Sequence, residues 1–515
     1  MNRDSATPPT FEHVDVLVVG AGLTGIGMGY HLRTLQPDKT FAIVEAREAI
    51  GGTWDLFRYP GIRSDADLHT FGFGFKPWTR DNAIANADEI LDYLQETVDE
   101  FDLSQHLHLG HKVVAANFST EEARWVVTLE RSGDGERFDV SCGMLFSAAG
   151  YYDVDNGYTP HFEGREQFEG DIVHPQHWPE DLDYTGKKVV VIGSGATAVT
   201  LIPAMAETAG HVTMLQRSPS YVLPAPRQDP IANTLRRLLP ERAAYAVTRS
   251  INVNKQDLLY KASRRFPKQM RALVRRVNMG ALPEGYDVDT HFKPSYAPWD
   301  QRMCVVPDSD LFKAISSGAA SVVTDRIERF TAQGIRLASG AELEADVIVT
   351  ATGLNMVPFG KIPLQVDGTS VNLHDHVAYK GLMVSDIPNF VFTVGYVNHA
   401  WTLKADLVAQ WFCRLLAHMD RNGFATATPV VDDATMTMAP LIDMGTGYVN
   451  RAMHLFPQQG SRGPWRLDQD YKADRTILGT DPIEDSGLVF SEAAGHFAQV
   501  AEAAALGSLA ASTAR

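Results

Sequence analysis

The chain has 515 residues, 44% of them hydrophobic and 21% charged, which is typical of a globular protein with roughly two to four domains. Its 46 Lys and Arg residues against 63 Asp and Glu residues give a formal net charge of −17, which argues against general nucleic-acid binding. No run approaches the roughly 20 apolar residues that are needed to span a bilayer.

The first residues carry no apolar segment followed by a small-residue cleavage site, so we expect a cytoplasmic protein. The three cysteines (Cys142, Cys304 and Cys413) lie far apart in the sequence. They form neither a CxxC pair nor a set of zinc ligands, so we expect buried, reduced thiols and no metal site.

Residues 13–45 follow the order strand, glycine-rich loop, helix, strand. The segment "HVDVLVV" is almost continuously apolar, as expected for a parallel strand covered on both faces, and a helix is predicted over 23–35. Gly20 and Gly22 allow a pyrophosphate to approach the helix N-terminus, and Gly25 allows the helix to pack on the sheet. Glu45 ends the second strand, where its carboxylate can accept hydrogen bonds from a ribose and would repel a 2′-phosphate. This unit is therefore predicted to bind FAD or NAD rather than NADP.

Residues 187–217 repeat the arrangement, with the strand "KKVVVI", the loop "GSGATA", a helix to about residue 207 and the strand "HVTMLQR". Gly193 and Gly195 occupy the first two glycine positions, and Ala198 occupies the third. The second strand ends in Gln216 and Arg217 with no acid, which suits a 2′-phosphate and predicts NADP(H). Arg217 as a surface ion-pair residue is the alternative.

Two nucleotide sites of different polarity indicate a flavoprotein that takes hydride from NADPH. Such a protein can reduce a disulfide, pass electrons onward or activate O2. Because no cysteine pair is present to lie beside a flavin, disulfide reduction is excluded, and the other two outcomes stay open.

The predicted fold is α/β, with two Rossmann-like dinucleotide-binding domains, the second inserted in the first, and a helical subdomain. We predict an N-terminal part of the FAD-binding domain over 1–155 and an NADP-binding domain over 156–340. Residues 341–515 are expected to return to the FAD-binding domain, through buried strands at 345–353 and 389–395, and to end in a short Ala-rich helix after residue 492.

The segment from about 225 to 295 has a helical pattern and a basic character. Residues 227–276 hold thirteen Lys or Arg against three acids. Two interpretations are open: a solvated helical subdomain with amphipathic faces, or a region that meets an anionic membrane surface or a phosphate-bearing cofactor.

Two further segments carry a family resemblance. "FEGDIVHPQHWP" matches the fingerprint FxGxxxHxxxW(P/D) of type I Baeyer–Villiger monooxygenases at Phe168, Gly170, His174, Trp178 and Pro179. "GGTWDLFRYPGIRSD" matches the second signature of that family at Gly51, Gly52, Trp54, Tyr59, Pro60, Gly61 and Asp65. The order relative to the two glycine loops also agrees. Within the family the chain looks closest to the ethionamide monooxygenases, which oxidise ketones and sulfides and activate thioamides.

The resemblance implies an NADPH- and O2-dependent enzyme that converts ketones to esters or lactones through a C4a-peroxyflavin and also oxidises sulfides and thioamides. The oxygen-activating arginine falls on Arg302, with Asp65 as its acidic partner. The implied flavin contacts are Thr24, Glu45, Thr53, Trp54, Asp55, Leu56, Asp65 and Val113. The implied NADP contacts are Arg63, Ser64, Gly193, Ser194, Gly195, Ala196, Thr197, Ala198, Val199, Gln216 and Arg217.

One position departs from the family pattern, because many members have a lysine directly before the active arginine and this chain has Gln301. We expect NADPH preference to depend more heavily on Arg217. The competing functions are an N- or S-hydroxylating flavin monooxygenase without Baeyer–Villiger activity, a non-catalytic flavoprotein and an uncoupled NADPH oxidase. The fingerprint segment is interpreted as a mechanical link between the two domains, with His174 hydrogen-bonding across their junction.

Overall fold

The computed structural model describes residues 11–301 and 303–492. Its α-helices are α1 (Leu23–Leu35), α2 (Thr53–Leu56), α3 (Leu68–Phe71), α4 (Ala87–Glu100), α5 (Ala196–Met205), α6 (Pro230–Leu238), α7 (Glu241–Arg265), α8 (Pro267–Ala281), α9 (Val288–His291), α10 (Asp310–Ser316), α11 (Trp401–Asn422), α12 (Gly447–Ala452) and α13 (Tyr471–Ile477). Short 3-10 helices cover Ser104–His106, Arg165–Gln167, Pro175–His177, Pro358–Lys361, Leu373–Asp375 and Met453–Leu455.

The strands are β1 (His13–Val19), β2 (Phe41–Val44), β3 (Leu107–His108), β4 (His111–Ser119), β5 (Arg124–Arg131), β6 (Arg137–Ser147), β7 (Tyr152–Gly157), β8 (Asp171–Val173), β9 (Lys188–Ile192), β10 (His211–Gln216), β11 (Val222–Ala225), β12 (Cys304–Pro307), β13 (Ala320–Thr324), β14 (Ile327–Thr331), β15 (Gly334–Leu337), β16 (Glu342–Glu344), β17 (Val347–Thr350), β18 (Leu354–Met356), β19 (Leu364–Val366), β20 (Thr369–Ser370), β21 (Ala378–Tyr379), β22 (Met383–Val384), β23 (Phe390–Phe392), β24 (Thr426–Pro429), β25 (Met438–Pro440), β26 (Gln458–Gly460) and β27 (Leu488–Ser491).

The first sheet is built around β1, which pairs in parallel with β2 on one side and with β6 on the other. β3 extends the parallel part beyond β2, and β23 pairs in parallel with β6. Val16, Leu17 and Val18 of β1 are fully buried, as the continuous apolar pattern of this strand predicts. Apolar residues of α1 and α11 pack together on one face of this sheet.

The second sheet has the order β13-β10-β9-β17-β8 and is parallel throughout. α5 follows β9 and packs its apolar side into the same core as β10 and β17. The two parallel units, with the second inserted in the first, confirm the predicted fold class.

The buried strand predicted at 345–353 is present as β17, but its assignment to the first domain is wrong, since β17 pairs with β9 and β8 of the second sheet. β16 likewise pairs with β15 of the second unit, so residue 341 is not where the chain returns to the first domain. A buried apolar strand has the same local pattern whichever sheet it joins. Long-range strand pairing, which the local pattern does not contain, determines the sheet to which it belongs. The strand predicted within 389–395 does return to the first sheet, as β23.

The connection between the two units is a two-stranded antiparallel ribbon of β7 and β18. β7 follows the first sheet and leads to the second, and β18 leads back. The Tyr158 N–H donates to the Gly353 carbonyl at 3.1 Å and closes the ribbon at the end nearer the second unit. This ribbon is called the linker ribbon below.

The basic segment forms helices α6, α7, α8 and α9, so the predicted helical subdomain is confirmed. The three cysteines are buried, as predicted. Among the described residues, no helix is long and apolar enough to cross a membrane. The helix predicted after residue 492 lies outside the described residues.

Candidate functional site

One cavity of about 1440 Å³ is lined by both glycine-rich loops. Most of the predicted site residues line it: Gly20, Gly22, Thr24, Glu45, Thr53, Trp54, Leu56, Arg63, Ser64, Asp65, Val113, Gly193, Ser194, Gly195, Ala196, Thr197, Val199, Gln216 and Arg217. Residues predicted from two sequence regions more than a hundred positions apart therefore face one space.

Three predicted contacts do not line this cavity. Gly25 and Ala198 face the packing interfaces of their own helices, and a Cβ added at Gly25 would overlap the Gly20 carbonyl oxygen. The Asp55 carboxylate is ion-paired with Arg47 and Arg58 and does not line the cavity, and its contact with the flavin stays a prediction. Arg302 lies outside the described residues. Its neighbour Gln301 lines the cavity.

The first loop has the geometry that a pyrophosphate requires. Gly20 adopts φ +106°, and a Cβ there would come within 2.8 Å of the Ala148 carbonyl oxygen. Glu45 is buried, and its carboxylate accepts from the Ala21 N–H at 2.8 Å and from the Arg47 N–H at 3.0 Å. Burial raises the pKa of this carboxyl, and this effect outweighs the two hydrogen bonds, which lower the pKa. Glu45 is thus held at the cavity wall beside the N-terminus of α1, where it fits an adenosine ribose.

The second loop leaves the N-terminus of α5 open. Gly195 is the residue before α5, and a Cβ there would meet nothing within 4 Å. Gln216 is buried, and its Nε2 donates at 2.8 Å to the His291 carbonyl and to Thr324 Oγ1. Its Oε1 has no partner among the described residues. An unpartnered buried acceptor and an open helix N-terminus on one wall fit a bound dinucleotide.

Two exposed guanidinium groups lie at the same end of the cavity. Arg217 directly follows Gln216, at the end of β10, and Arg326 lies just after the end of the neighbouring strand β13. The two strand ends are joined by a hydrogen bond in which the Asp325 N–H donates to the Gln216 carbonyl at 3.0 Å. Neither guanidinium has an acidic partner among the described residues. The Arg63 guanidinium, in contrast, is paired with Asp310. No pattern in the sequence points to Arg326, because it reaches this wall only through the pairing of β10 with β13.

The second signature segment contacts both loops. A Cβ added at Gly52 would lie 3.2 Å from Gly22 Cα. At the other end of the segment the Tyr59 hydroxyl hydrogen-bonds the Thr197 side chain, and burial raises the pKa of Tyr59 to about 12. Gly61, with φ +74°, packs on α5 so closely that a Cβ would lie 2.7 Å from Ala204 Cβ. The segment 51–65 therefore sets the spacing between the two loops.

We expect Gly61→Ala to slow flavin reduction by NADPH by about tenfold while FAD content is retained, because the methyl group would push the segment away from α5. Stopped-flow absorbance of the flavin measures this rate. Gly186→Ala is the matched control, since Gly186 has φ +70° and its Cβ would meet nothing within 4 Å. Equal slowing in both variants would show that backbone strain, and not the spacing, is responsible.

An aromatic group from the C-terminal part of the chain completes the cavity wall. Trp401 Nε1 donates to Thr24 Oγ1 at 2.7 Å, and Tyr396 and His399 line the same cavity. The Tyr396 hydroxyl donates to Asp474 at 2.6 Å, and the buried Lys404 ammonium lies 2.8 Å from the same carboxylate. The sequence analysis did not assign these residues to the site.

Comparison with known proteins agrees with this geometry. Residues 17–255 match the family described as pyridine nucleotide-disulphide oxidoreductase. Over 482 residues the chain is 51% identical to the FAD-containing monooxygenase EthA of Mycobacterium tuberculosis, with 93% of this chain and 98% of that protein covered. The chain belongs to the FAD-containing monooxygenases.

Other relatives of this FAD-containing monooxygenase also match it over most of its length. A probable FAD-binding monooxygenase, AlmA of Acinetobacter baylyi, is 46% identical over 93% of this chain and 97% of its own length. The crystal structure of OTEMO in complex with FAD and NADP matches with a TM-score of 0.64 and 25% identity, covering 81% of this chain and 88% of that one. An oxidized steroid monooxygenase bound to NADP shares the fold, with a TM-score of 0.73 and 24% identity over 93% and 100% of the two chains.

The predicted family, enzyme class and cofactors are thereby confirmed for this FAD-containing monooxygenase: it is a flavin-dependent oxidoreductase that uses FAD and NADP(H). The first loop fits FAD because Glu45 would repel a 2′-phosphate, and the second fits NADP(H) because its wall carries guanidinium groups and no acid at the strand end.

Proposed function

We propose that this enzyme uses NADPH and O2 to insert oxygen beside the carbonyl of ketones, giving esters or lactones, and that it also oxidises sulfides and thioamides. The observation that carries the proposal is the single cavity shared by both nucleotide loops and by Asp65 and Gln301. A nicotinamide and a flavin bound by these loops would share one cavity with the substrate.

Flavin reduced by NADPH supplies the site at which O2 is activated for transfer. The chain's own contribution is electrostatic. The Arg302 guanidinium cannot be deprotonated, so it stabilises negative charge on the transferred oxygen and on the adduct with the carbonyl carbon. Gln301, the residue before Arg302 in the sequence, lines the cavity, and this supports the assignment. Asp65 orients the guanidinium in this proposal.

The fingerprint segment supports a mechanical role for His174. The His174 Nδ1 accepts from the Gln176 N–H at 3.2 Å, so its Nε2 carries the hydrogen and donates to the Gly353 carbonyl at 3.3 Å. Burial lowers the pKa of His174, which favours this neutral form. A Cβ added at Gly157 would overlap the imidazole ring. His174 therefore contacts the linker ribbon at Gly157, the last residue of β7, and at Gly353, the residue before β18.

Neighbouring side chains of the fingerprint bind the same ribbon. Gln176 Nε2 donates to the Asp153 carbonyl at 2.7 Å, and His177 Nε2 lies 3.0 Å from the Asp155 carbonyl. Gly170 lies so close to the Asp346 carbonyl oxygen that a Cβ would overlap it, which ties the start of the fingerprint to β17. The fingerprint thus joins the second sheet to the ribbon on which the two units would move.

We expect His174→Ala to lower kcat by about tenfold with FAD content unchanged, because one hydrogen bond to the ribbon and the packing on Gly157 are lost. Rapid-reaction kinetics should place the slowing in a step that follows NADPH binding, with little change in the dissociation constant of NADP⁺. His174→Gln, which keeps a donor at a similar reach, should recover part of the rate. Full activity in the alanine variant would contradict the mechanical role.

The proposed activity is tested with a panel of ketones and sulfides scored by oxygenated product. Phenylacetone and 2-octanone should give esters. Sulfoxide without any ester would favour the N- or S-hydroxylating alternative. Peroxide released in amounts equal to the NADPH consumed would indicate an uncoupled oxidase.

A further inference from the structure

The large apolar side chains that are exposed in the described part of the chain are concentrated in one region. Of the fourteen large hydrophobic residues exposed in the described part of the chain, ten lie between residues 231 and 279. They are Ile231, Leu238, Leu239, Val247, Ile251, Leu258, Phe266, Leu273, Val277 and Met279. Leu238 and Leu258 are 73% and 71% exposed, which is unusual for leucine in a folded protein.

These residues form stripes on the outer sides of α7 and α8. Val247, Ile251 and Leu258 are four and seven residues apart, so they lie on one side of α7. The opposite side of α7 is buried through Tyr245, Thr248, Asn252 and Ser263. On α8, Leu273 and Val277 are one turn apart, and Phe266 lies at the junction of the two helices with 52% exposure. This surface of α6, α7 and α8 is called the outer helical face.

Ten of the thirteen Lys and Arg residues in 227–276 fall into two groups. One group is paired with acids: Arg236 with Asp81, Arg264 with Asp300, Arg275 with Asp289, and Lys261 with Asp257. A second group is exposed and has no acidic partner among the described residues: Arg237, Arg242, Lys255, Arg265, Lys268 and Arg276.

The second group is interleaved with the apolar stripes. Lys255 lies between Ile251 and Leu258 on α7, and Arg276 is three residues from Leu273 on α8. The Arg265 guanidinium lies 5.6 Å from the centre of the Phe266 ring. Unpaired cations among exposed leucine and phenylalanine side chains, in a protein of net charge −17, are the pattern of a surface that binds anionic lipid.

We propose that the outer helical face docks on a membrane surface that contains anionic phospholipids. The apolar side chains would enter the headgroup region while the unpaired Lys and Arg side chains meet lipid phosphates. This inference goes beyond the proposed oxygenation and does not depend on it. Helix α7 of this face also contacts the cavity wall. Gln256 Oε1 on α7 lies 3.3 Å from Nδ1 of the cavity residue His399.

Vesicle sedimentation of the FAD-loaded full chain tests the proposal. The protein should pellet with vesicles of phosphatidylcholine mixed with phosphatidylglycerol and stay in the supernatant with phosphatidylcholine alone, and added salt should release it. Leu258→Ser combined with Leu273→Ser should weaken binding about tenfold, and so should Arg265→Glu combined with Arg276→Glu.

Matched control variants distinguish binding through this surface from nonspecific adsorption to vesicles. Leu35→Ser with Leu455→Ser removes leucines of 50% and 41% exposure elsewhere, and Arg336→Glu with Arg421→Glu makes the same change of net charge away from the helices. Both controls should bind as the unchanged protein does. Flavin content and circular dichroism report folding, and if the charge variant fails to fold, the serine pair still decides.

Two results would overturn the proposal. One is an unchanged protein that stays in the supernatant with both kinds of vesicle. The other is sedimentation velocity, without lipid, showing an oligomer that the serine pair disperses while vesicle binding is absent. That second result would assign the outer helical face to contact with a second copy of the chain.

Discussion

Arg302→Ala is expected to abolish ester formation while NADPH still reduces the flavin at close to its normal rate. Arg302 is assigned by the resemblance and supported by the position of its neighbour Gln301 on the cavity wall. Removing a fixed charge from the reacting oxygen should cost about a thousandfold in oxygenation rate. Anaerobic stopped-flow measures the reduction, and chromatography of product measures the oxygenation.

The design of this experiment separates chemistry from folding. FAD content and NADP⁺ affinity should be unchanged within about twofold, since neither loop contains Arg302. Arg302→Lys keeps the charge but loses the planar fork, so it should retain a small fraction of the activity. Ketone oxygenation at the normal rate in the alanine variant would remove Arg302 from the proposed mechanism.

Arg217→Ala and Arg326→Ala are each expected to weaken NADP⁺ binding by about tenfold and NAD⁺ binding hardly at all, because each removes a charge-assisted contact to the 2′-phosphate. The double variant should lose most of the preference for NADPH. Both residues line the cavity next to Gln216, and Gln301 cannot supply the positive charge that a lysine would.

Calorimetric titration with NADP⁺, NAD⁺ and 2′,5′-ADP measures these affinities without turnover. Arg336→Ala is the control, since Arg336 is an exposed arginine of the second unit that does not line the cavity. Equal losses for NADP⁺ and NAD⁺ would reject the 2′-phosphate role for the substituted residue. An unaltered preference in the Arg326 variant alone would leave the discrimination to Arg217.

Local sequence patterns predicted the parts of the fold that local physics determines. The run "HVDVLVV" became β1, and the helix after it has the predicted limits, Leu23 to Leu35. Continuous apolarity, a glycine turn and a helical segment follow one another there with no competing signal. Glu45 lies at the strand end where the spacing placed it, held by backbone N–H groups of the loop.

The errors and omissions arise from contacts between distant parts of the chain. β17 has the pattern of any buried strand, and only its pairing with β8 and β9 assigns it to the second sheet. The ion pairs of the Asp55 carboxylate with Arg47 and Arg58 likewise could not be predicted from the signature match. Strand pairing and helix packing bring Tyr396, Trp401 and Arg326 to the cavity wall. These long-range contacts cannot be predicted from residue spacing in the sequence.

The central claim is that oxygen is inserted next to a ketone carbonyl, and labelled dioxygen tests it most directly. The enzyme is incubated with NADPH, ¹⁸O₂ and phenylacetone, and the product is analysed by mass spectrometry. The account predicts an ester that carries one ¹⁸O atom, formed in proportion to the NADPH consumed. NADPH consumption that yields labelled peroxide and no labelled ester would contradict it.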